Sequence, residues 1–181
     1  MKKKLRFITE TAIMLALLVT LQALTKGFGQ LVTGSCVNAV LAVSVLIGGV
    51  GCGITVALLS PVLAYLLGIA PVIVTVPVIM AGNAVFVLLL RLLTAGNGRP
   101  IWKQVLGWLA ASAAKFALLY LLAAKVVCGL LAPALLSAGV MKEPMLKALP
   151  VTFGWPQLFT ALIGGGIALL IVPVLRKALH K

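Results

Sequence analysis

Lys115 is the residue of this sequence with the strongest chemical consequence, because it falls near the middle of the apolar run from Gln104 to Ala132. A cation at the centre of a bilayer costs at least ~2.5 kcal/mol on insertion scales. The only acids in the chain are Glu10 and Glu143, and neither lies at the middle of an apolar run. Lys115 must therefore reach a water-filled cavity or backbone carbonyl groups, or be neutralised by a bound anion.

Five further polar or aromatic side chains lie in or beside the other apolar runs, and they are candidate binding residues: Asn38, Asn83, Tyr120, Trp155 and Gln157. The two asparagines have two open interpretations. An amide inside a membrane either forms a hydrogen bond to a neighbouring helix, worth about 1 kcal/mol, or contacts a ligand. The two aromatic side chains are likewise compatible with packing and with recognition of a ligand.

The residues that are missing argue against an enzyme. The chain has no Asp, and its single histidine is His180 at the C-terminal end. Its three cysteines show no paired spacing typical of a metal site. Enzymes that act inside membranes commonly need clustered acids, histidines or metal ligands. We therefore expect no catalytic residue, no metal and no cofactor, and also no carboxylate that would couple transport to protons or sodium.

The composition indicates an all-α integral membrane protein with a single domain over residues 1–181. Apolar residues make up 63% of the chain and charged residues 9%, whereas a soluble domain carries roughly a quarter charged residues. Fifteen lysines and arginines stand against two acids. These basic residues fall mainly at the termini and in the links between apolar runs, as in membrane proteins. Binding to nucleic acid is therefore not expected.

A helix needs about 20 apolar residues to cross the hydrocarbon core of a membrane. The first run follows lysines, as in a signal peptide, but no cleavage-like site of small residues follows it, so we predict a retained helix. Turns are predicted at 51–52 and near 68–71. The sequence predicts a bundle of six transmembrane helices over residues 8–24, 31–50, 53–70, 72–93, 104–132 and 157–175.

The distribution of basic residues predicts that both termini are cytoplasmic, because loops on that side are enriched in Lys and Arg. Trp102 and Trp108 are then predicted at the inner interface and Trp155 at the outer one. The outer side holds three basic residues, Lys26, Lys142 and Lys147. The inner side holds ten: Lys2, Lys3, Lys4, Arg6, Arg91, Arg99, Lys103, Arg176, Lys177 and Lys181.

Small residues recur at spacings that let membrane helices approach closely, as in Ala12 and Ala16 and in 164–166. The segment 11–18, Thr-Ala-Ile-Met-Leu-Ala-Leu-Leu, follows a charged start and resembles the first helix of the substrate-binding S component of energy-coupling factor (ECF) transporters. The segment 31–83 is also similar to members of that family through Thr33-Gly34-Ser35, Asn38 and Gly82-Asn83.

The resemblance implies a protein of a bacterial cytoplasmic membrane that binds a vitamin or related micronutrient from outside. It implies that Ala12 and Ala16 contact a transmembrane coupling subunit, and that two ATPase subunits drive uptake. The pocket would lie in the outer half of the bundle, with 27–35 as a lid. Its lining would include Asn38, Asn83, Lys115, Tyr120, Trp155 and Gln157.

The substrate stays open, although the lysines on the outer side favour a neutral or anionic molecule over a cationic one. Two other functions also stay open. An independent permease or channel would need a continuous polar path across the bundle. A membrane scaffold that transports nothing would use its polar residues only for contacts between its helices. In every case membrane lipid would surround the bundle.

Overall fold

Helices account for the regular structure of residues 2–69, 72–94 and 100–179, which are the residues that the computed structural model describes. Six of the helical segments are long and apolar enough to cross a membrane. The prediction of an all-helical chain with six such helices is therefore confirmed. Arg99, Lys181, His180 and the positions 70–71 of one predicted turn lie outside the described residues.

The long helices alternate in direction because short links join them. The elements are α1 (Lys2–Thr25), a 3₁₀ turn (Lys26–Phe28), α2 (Gln30–Ile47), α3 (Gly49–Leu66), α4 (Thr75–Thr94), α5 (Ile101–Tyr120), α6 (Ala132–Ser137), α7 (Glu143–Thr152) and α8 (Trp155–Ala178). The fifth long helix continues from α5 into a π-helical segment, Leu121–Leu130, and the two short helices α6 and α7 then lead into the last long helix, α8.

One turn lies earlier in the chain than the sequence predicted. The turn between α2 and α3 falls at Gly48–Gly49, because Gly49 takes a left-handed conformation with φ of 86°. Hydropathy placed this turn at Gly51–Cys52, but both of those residues lie inside α3. The region 136–150 contains the end of α6 and most of α7.

Apolar side chains are distributed as in a protein whose outer surface faces lipid. One buried cluster joins α2, α3 and α4 through residues such as Leu41, Val56 and Phe86. Many large apolar side chains point outward, including Leu170, which is 79% exposed. Since lipid is as apolar as these side chains, close packing between helices rather than hydrophobic burial must hold the bundle together.

Glycines permit the closest approaches between helices. A Cβ atom on Gly164 of α8 would lie 2.6 Å from the Cβ of Asn38 and would overlap the backbone of α2. A Cβ atom on Gly82 of α4 would lie 2.5 Å from the Leu119 side chain of α5. These two positions therefore set the spacing of α2 against α8 and of α4 against α5.

Trp108, which was predicted at the inner interface, packs between two helices. It is half-buried between α5 and α8, where its Nε1 donates to the carbonyl oxygen of Ala161 at 3.5 Å. Gly165 leaves the space for its indole ring, because a Cβ there would lie 2.5 Å from the ring. Trp102 and Trp155 are exposed, at opposite ends of the bundle.

Replacing Gly164 with alanine should destabilise the protein by about 1–3 kcal/mol, since the new Cβ would meet backbone atoms of α2 that cannot shift alone. Thermal unfolding in detergent should show a lower Tm. Gly129→Ala is the matched control, because a Cβ there would meet only the Ala124 carbonyl oxygen at 3.6 Å. Equal Tm values for the two variants would contradict the close packing of α2 on α8.

Candidate functional site

The side chain of Lys115 reaches two asparagines on neighbouring helices. Its Nζ donates to the Oδ1 of Asn38 on α2 at 2.5 Å and to the Oδ1 of Asn83 on α4 at 2.8 Å. All three side chains are at most 2% exposed. The structure thus brings together three of the residues singled out from the sequence, and we refer to them as the floor cluster.

The helix geometry explains why the two asparagines lie at one level. Asn38 and Asn83 each lie eight positions after the first residue of their helix, from 30 to 38 and from 75 to 83. At 1.5 Å per residue, both are roughly 12 Å below the same end of the bundle. Lys115 comes to this level on α5, which runs in the opposite direction.

Asn38 is held by hydrogen bonds on both sides of its amide. Its Nδ2 donates to the Gly34 carbonyl oxygen at 2.9 Å and to the Thr160 Oγ1 at 3.2 Å. The Thr160 hydroxyl donates in turn to the Gln157 carbonyl oxygen at 3.1 Å. Because the amide nitrogen is used in this way, the Oδ1 is left facing Lys115.

Asn83 is held on one side only. Its Oδ1 accepts from Lys115, while its Nδ2 is buried and has no partner among the described residues. The ammonium group also lies 5.3 Å from the centre of the Phe86 ring, within the range of a cation–π contact. The floor cluster therefore contains a buried donor that the described part of the protein leaves unpaired.

Within the described part of the chain, both acids lie away from Lys115. Glu10 forms an ion pair with Arg6 at 2.9 Å, and Glu143 is exposed at the start of α7. The partners of Lys115 are thus side-chain amides, which the three alternatives drawn from the sequence did not include. Neutral oxygens satisfy hydrogen bonds but leave the positive charge uncompensated.

A cavity of about 410 Å³ lies directly above the floor cluster. Its walls are apolar, from Val37, Ile69, Val72, Ile79, Leu149 and Phe153. Its mouth is polar, from Gln22, Lys26, Gln30, Thr33, Thr152 and Gln157. The helix ends that form this mouth are opposite the end that carries both termini.

The helix α7 and the turn between α1 and α2 border the mouth of the cavity. Lys26 donates from its Nζ to the Gly68 carbonyl oxygen at 2.9 Å, which joins the end of α1 to the end of α3. The segment 27–35, expected as a lid, lies at the mouth, but it is a loop only up to Gly29 (φ 86°). From Gln30 onward it belongs to α2.

The other candidate residues fall in two groups. Gln157 is buried, lines the cavity, and donates to the Thr152 carbonyl oxygen at 3.3 Å. Tyr120 and Trp155 do not line it: they are 42% and 65% exposed, on either side of Phe116. The Trp155 ring stacks on Phe116 with centroids 5.3 Å apart, so it packs on the outer surface of the bundle.

Sequence reasoning missed Gln22, Thr160 and the contribution of α7. Gln22 is a polar residue inside the first apolar run, and this signal could have identified it. Thr160 acts only through its contact with Asn38, which is 122 positions away and which no local pattern reveals.

Ala12 and Ala16 do not line the cavity. Both are exposed, and their spacing of four residues places them on one face of α1.

No protein-family model matches the chain, and neither the curated proteins nor the solved structures yielded a match. The class of protein therefore follows from the fold and the site alone. The chain is a bundle of six span-length helices with a cavity at one end and a buried lysine at the floor of that cavity.

A double-mutant cycle should show that Asn38 and Lys115 are coupled. Asn38→Leu removes one of two acceptors from a buried cation, which should cost about 1.5–3 kcal/mol of stability, as for a hydrogen bond to a charged group. Adding Lys115→Met removes the cation and should recover a large part of that loss. Thermal unfolding of the four proteins measures both effects. A double variant no more stable than Asn38→Leu alone would mean that the two side chains are not coupled.

Proposed function

We propose that this chain is a membrane protein that binds a small neutral or anionic molecule and serves as the substrate-binding component of an ECF-type importer. The observation that supports binding most directly is the floor cluster, where a buried lysine and an unpaired amide donor face a cavity. Six buried side-chain atoms have no partner among the described residues, and two of them, the Asn83 Nδ2 and the Gln22 Oε1, belong to side chains that line this cavity.

The shape and lining of the cavity support the same proposal. Sites for small molecules are concave, mostly apolar, and measure about 300–1,000 Å³, with a few polar groups that fix the orientation of the ligand. The cavity lies within this range and has polar groups at its two ends. Lys26 at the mouth and Lys115 at the floor disfavour a cationic ligand.

We further propose that the six helices span the cytoplasmic membrane of a bacterium with both termini inside. The basic residues at the end of the bundle that carries the termini support this orientation under the positive-inside rule. In that orientation the mouth of the cavity faces outward, as uptake of an external solute requires.

Coupling to ATP hydrolysis is proposed through α1. Ala12 and Ala16 are exposed on one face of that helix, and small side chains there would let a helix of the coupling subunit approach closely. Two ATPase subunits bound to the coupling subunit would supply the energy. The surface that binds this partner would then be separate from the cavity that binds the substrate.

Replacing Lys115 with Met should weaken ligand binding about tenfold or more, as for loss of a charged hydrogen bond. Native mass spectrometry of protein purified from its own host should show a bound small molecule in the wild type and an empty Lys115→Met variant. Lys125→Met is the control, because Lys125 is exposed and does not line the cavity. Equal ligand occupancy in the two variants would contradict a role for Lys115, and an empty wild-type protein that binds none of a panel of vitamins would favour the scaffold.

Tryptophan at Ala12 or Ala16 should abolish uptake and leave binding unchanged, because the bulky ring would obstruct the partner surface and neither position lines the cavity. Uptake is measured in cells that also express the coupling module, and binding with the purified chain. Leu170→Trp, at an exposed position on α8, controls for a bulky residue at the outer surface. A parallel loss of binding would place the first helix in the binding site instead, and transport by the purified chain alone in liposomes would indicate an independent permease.

A further inference from the structure

Two donors at the cavity floor have no acceptor in the part of the chain that the structure describes. A lysine ammonium carries three hydrogens, and the hydrogen bonds of Lys115 to the two asparagines use two of them. The Nδ2 of Asn83 is the second donor. Both side chains are among those that line the cavity, and the Nδ2 atom of Asn83 is itself buried.

These two donors are close enough to bind one chemical group. The Nδ2 of Asn83 belongs to the same amide whose Oδ1 lies 2.8 Å from the Lys115 Nζ. A group with two acceptor oxygens can therefore accept from the ammonium with one oxygen and from the amide with the other. Carboxylates have this arrangement, and hydrogen bonds from a charged donor to a carboxylate are short and strong.

The charge of the site selects among groups that could accept both hydrogen bonds. The ammonium is buried beside neutral amide oxygens, with both acids of the chain elsewhere. A neutral carbonyl group would leave the charge of the ammonium uncompensated. A phosphate dianion would bring one negative charge too many into the interior. A carboxylate brings the floor to neutrality. Lys26 does not change this balance, because it lies at the exposed mouth on the Gly68 carbonyl.

At the mouth of the cavity, the buried group without a partner is an acceptor rather than a donor. The Oε1 of Gln22 is a buried acceptor with no partner among the described residues. It lies on α1 near the mouth, and apolar side chains form the walls between it and the floor. A ligand that satisfies both ends needs an acceptor pair at one end, an apolar body, and an N–H or O–H donor at the other.

We infer that the ligand is a small monocarboxylate, bound with its carboxylate between Lys115 and Asn83 and with an N–H or O–H donor directed to Gln22. This inference rests on the proposed function, because it treats the cavity as the substrate site.

Matched pairs of acids and neutral analogues test the inference in protein reconstituted into nanodiscs. The probes are biotin with biotinamide and pantothenate with panthenol, which keep the body and the distal donors and change only the acid. Octanoate is a third acid that lacks a distal donor. We expect at least one acid of the two pairs to bind about tenfold or more tightly than its neutral analogue, and more tightly than octanoate.

Asn83→Asp supplies the complementary test. The aspartate keeps an acceptor for Lys115, removes the free donor, and places a negative charge where the ligand carboxylate would lie. It should raise the Tm of the ligand-free protein, because the cation gains a counter-ion, and it should abolish binding of the acid. The raised Tm also shows that the loss of binding is not a failure to fold.

The outcomes separate this inference from the proposed function. Neutral analogues that bind as tightly as the acids, or acids that bind Asn83→Asp as well as the wild type, would overturn the carboxylate and leave a substrate-binding protein. If neither acids nor neutral analogues bind the wild-type protein, the inference fails, and an unoccupied protein in native mass spectrometry would show that the proposed function fails with it.

Discussion

The structure depends on how a single buried cation is accommodated. Lys115 lies where α2, α4 and α5 meet, and the protein surrounds it with amide oxygens and the face of Phe86 rather than with an acid. Such an environment satisfies the hydrogen bonds of the ammonium but not its charge. The fold therefore lowers the free-energy cost of placing the lysine in the membrane but does not remove it. A bound anion would lower this cost further, and that gain would contribute to its binding free energy.

Close packing of the helices is what makes this environment available. The Oδ1 of Asn38 faces Lys115 because its Nδ2 is occupied by Gly34 and Thr160, and Thr160 comes within reach only because Gly164 lets α8 lie against α2. The two faces of the Asn38 amide thus serve different purposes. The nitrogen joins α2 to α8 and the oxygen joins α2 to α5, so the structure contains the interhelical hydrogen bond that was one of the two interpretations of this residue, while contact with a ligand stays a prediction.

Much of the fold could be predicted from the sequence, because hydropathy reports directly on helices that need to be apolar along their whole length. The boundaries that failed are those set by backbone conformation, as at Gly49, where glycines on both sides of the turn hide its position. The site was predictable in part for the same reason. Lys115, Asn38 and Asn83 are conspicuous in apolar runs, whereas the exposure of Tyr120 and Trp155 depends on helix rotation, which hydropathy does not determine.

The asymmetry between the two asparagines connects the architecture to binding. If both amides were fully paired, the floor would be a structural contact between helices, and the cavity above it would be an apolar space with a polar mouth. Within the described residues, Asn83 instead keeps one buried donor without a partner beside a cation without a counter-ion, and both side chains line the cavity. The buried hydroxyls of Thr11, Ser35, Ser60 and Ser112 also have no partner there, but none of these residues lines this cavity. An unpaired donor and an uncompensated charge therefore occur together at the floor, where a single anionic group would satisfy both.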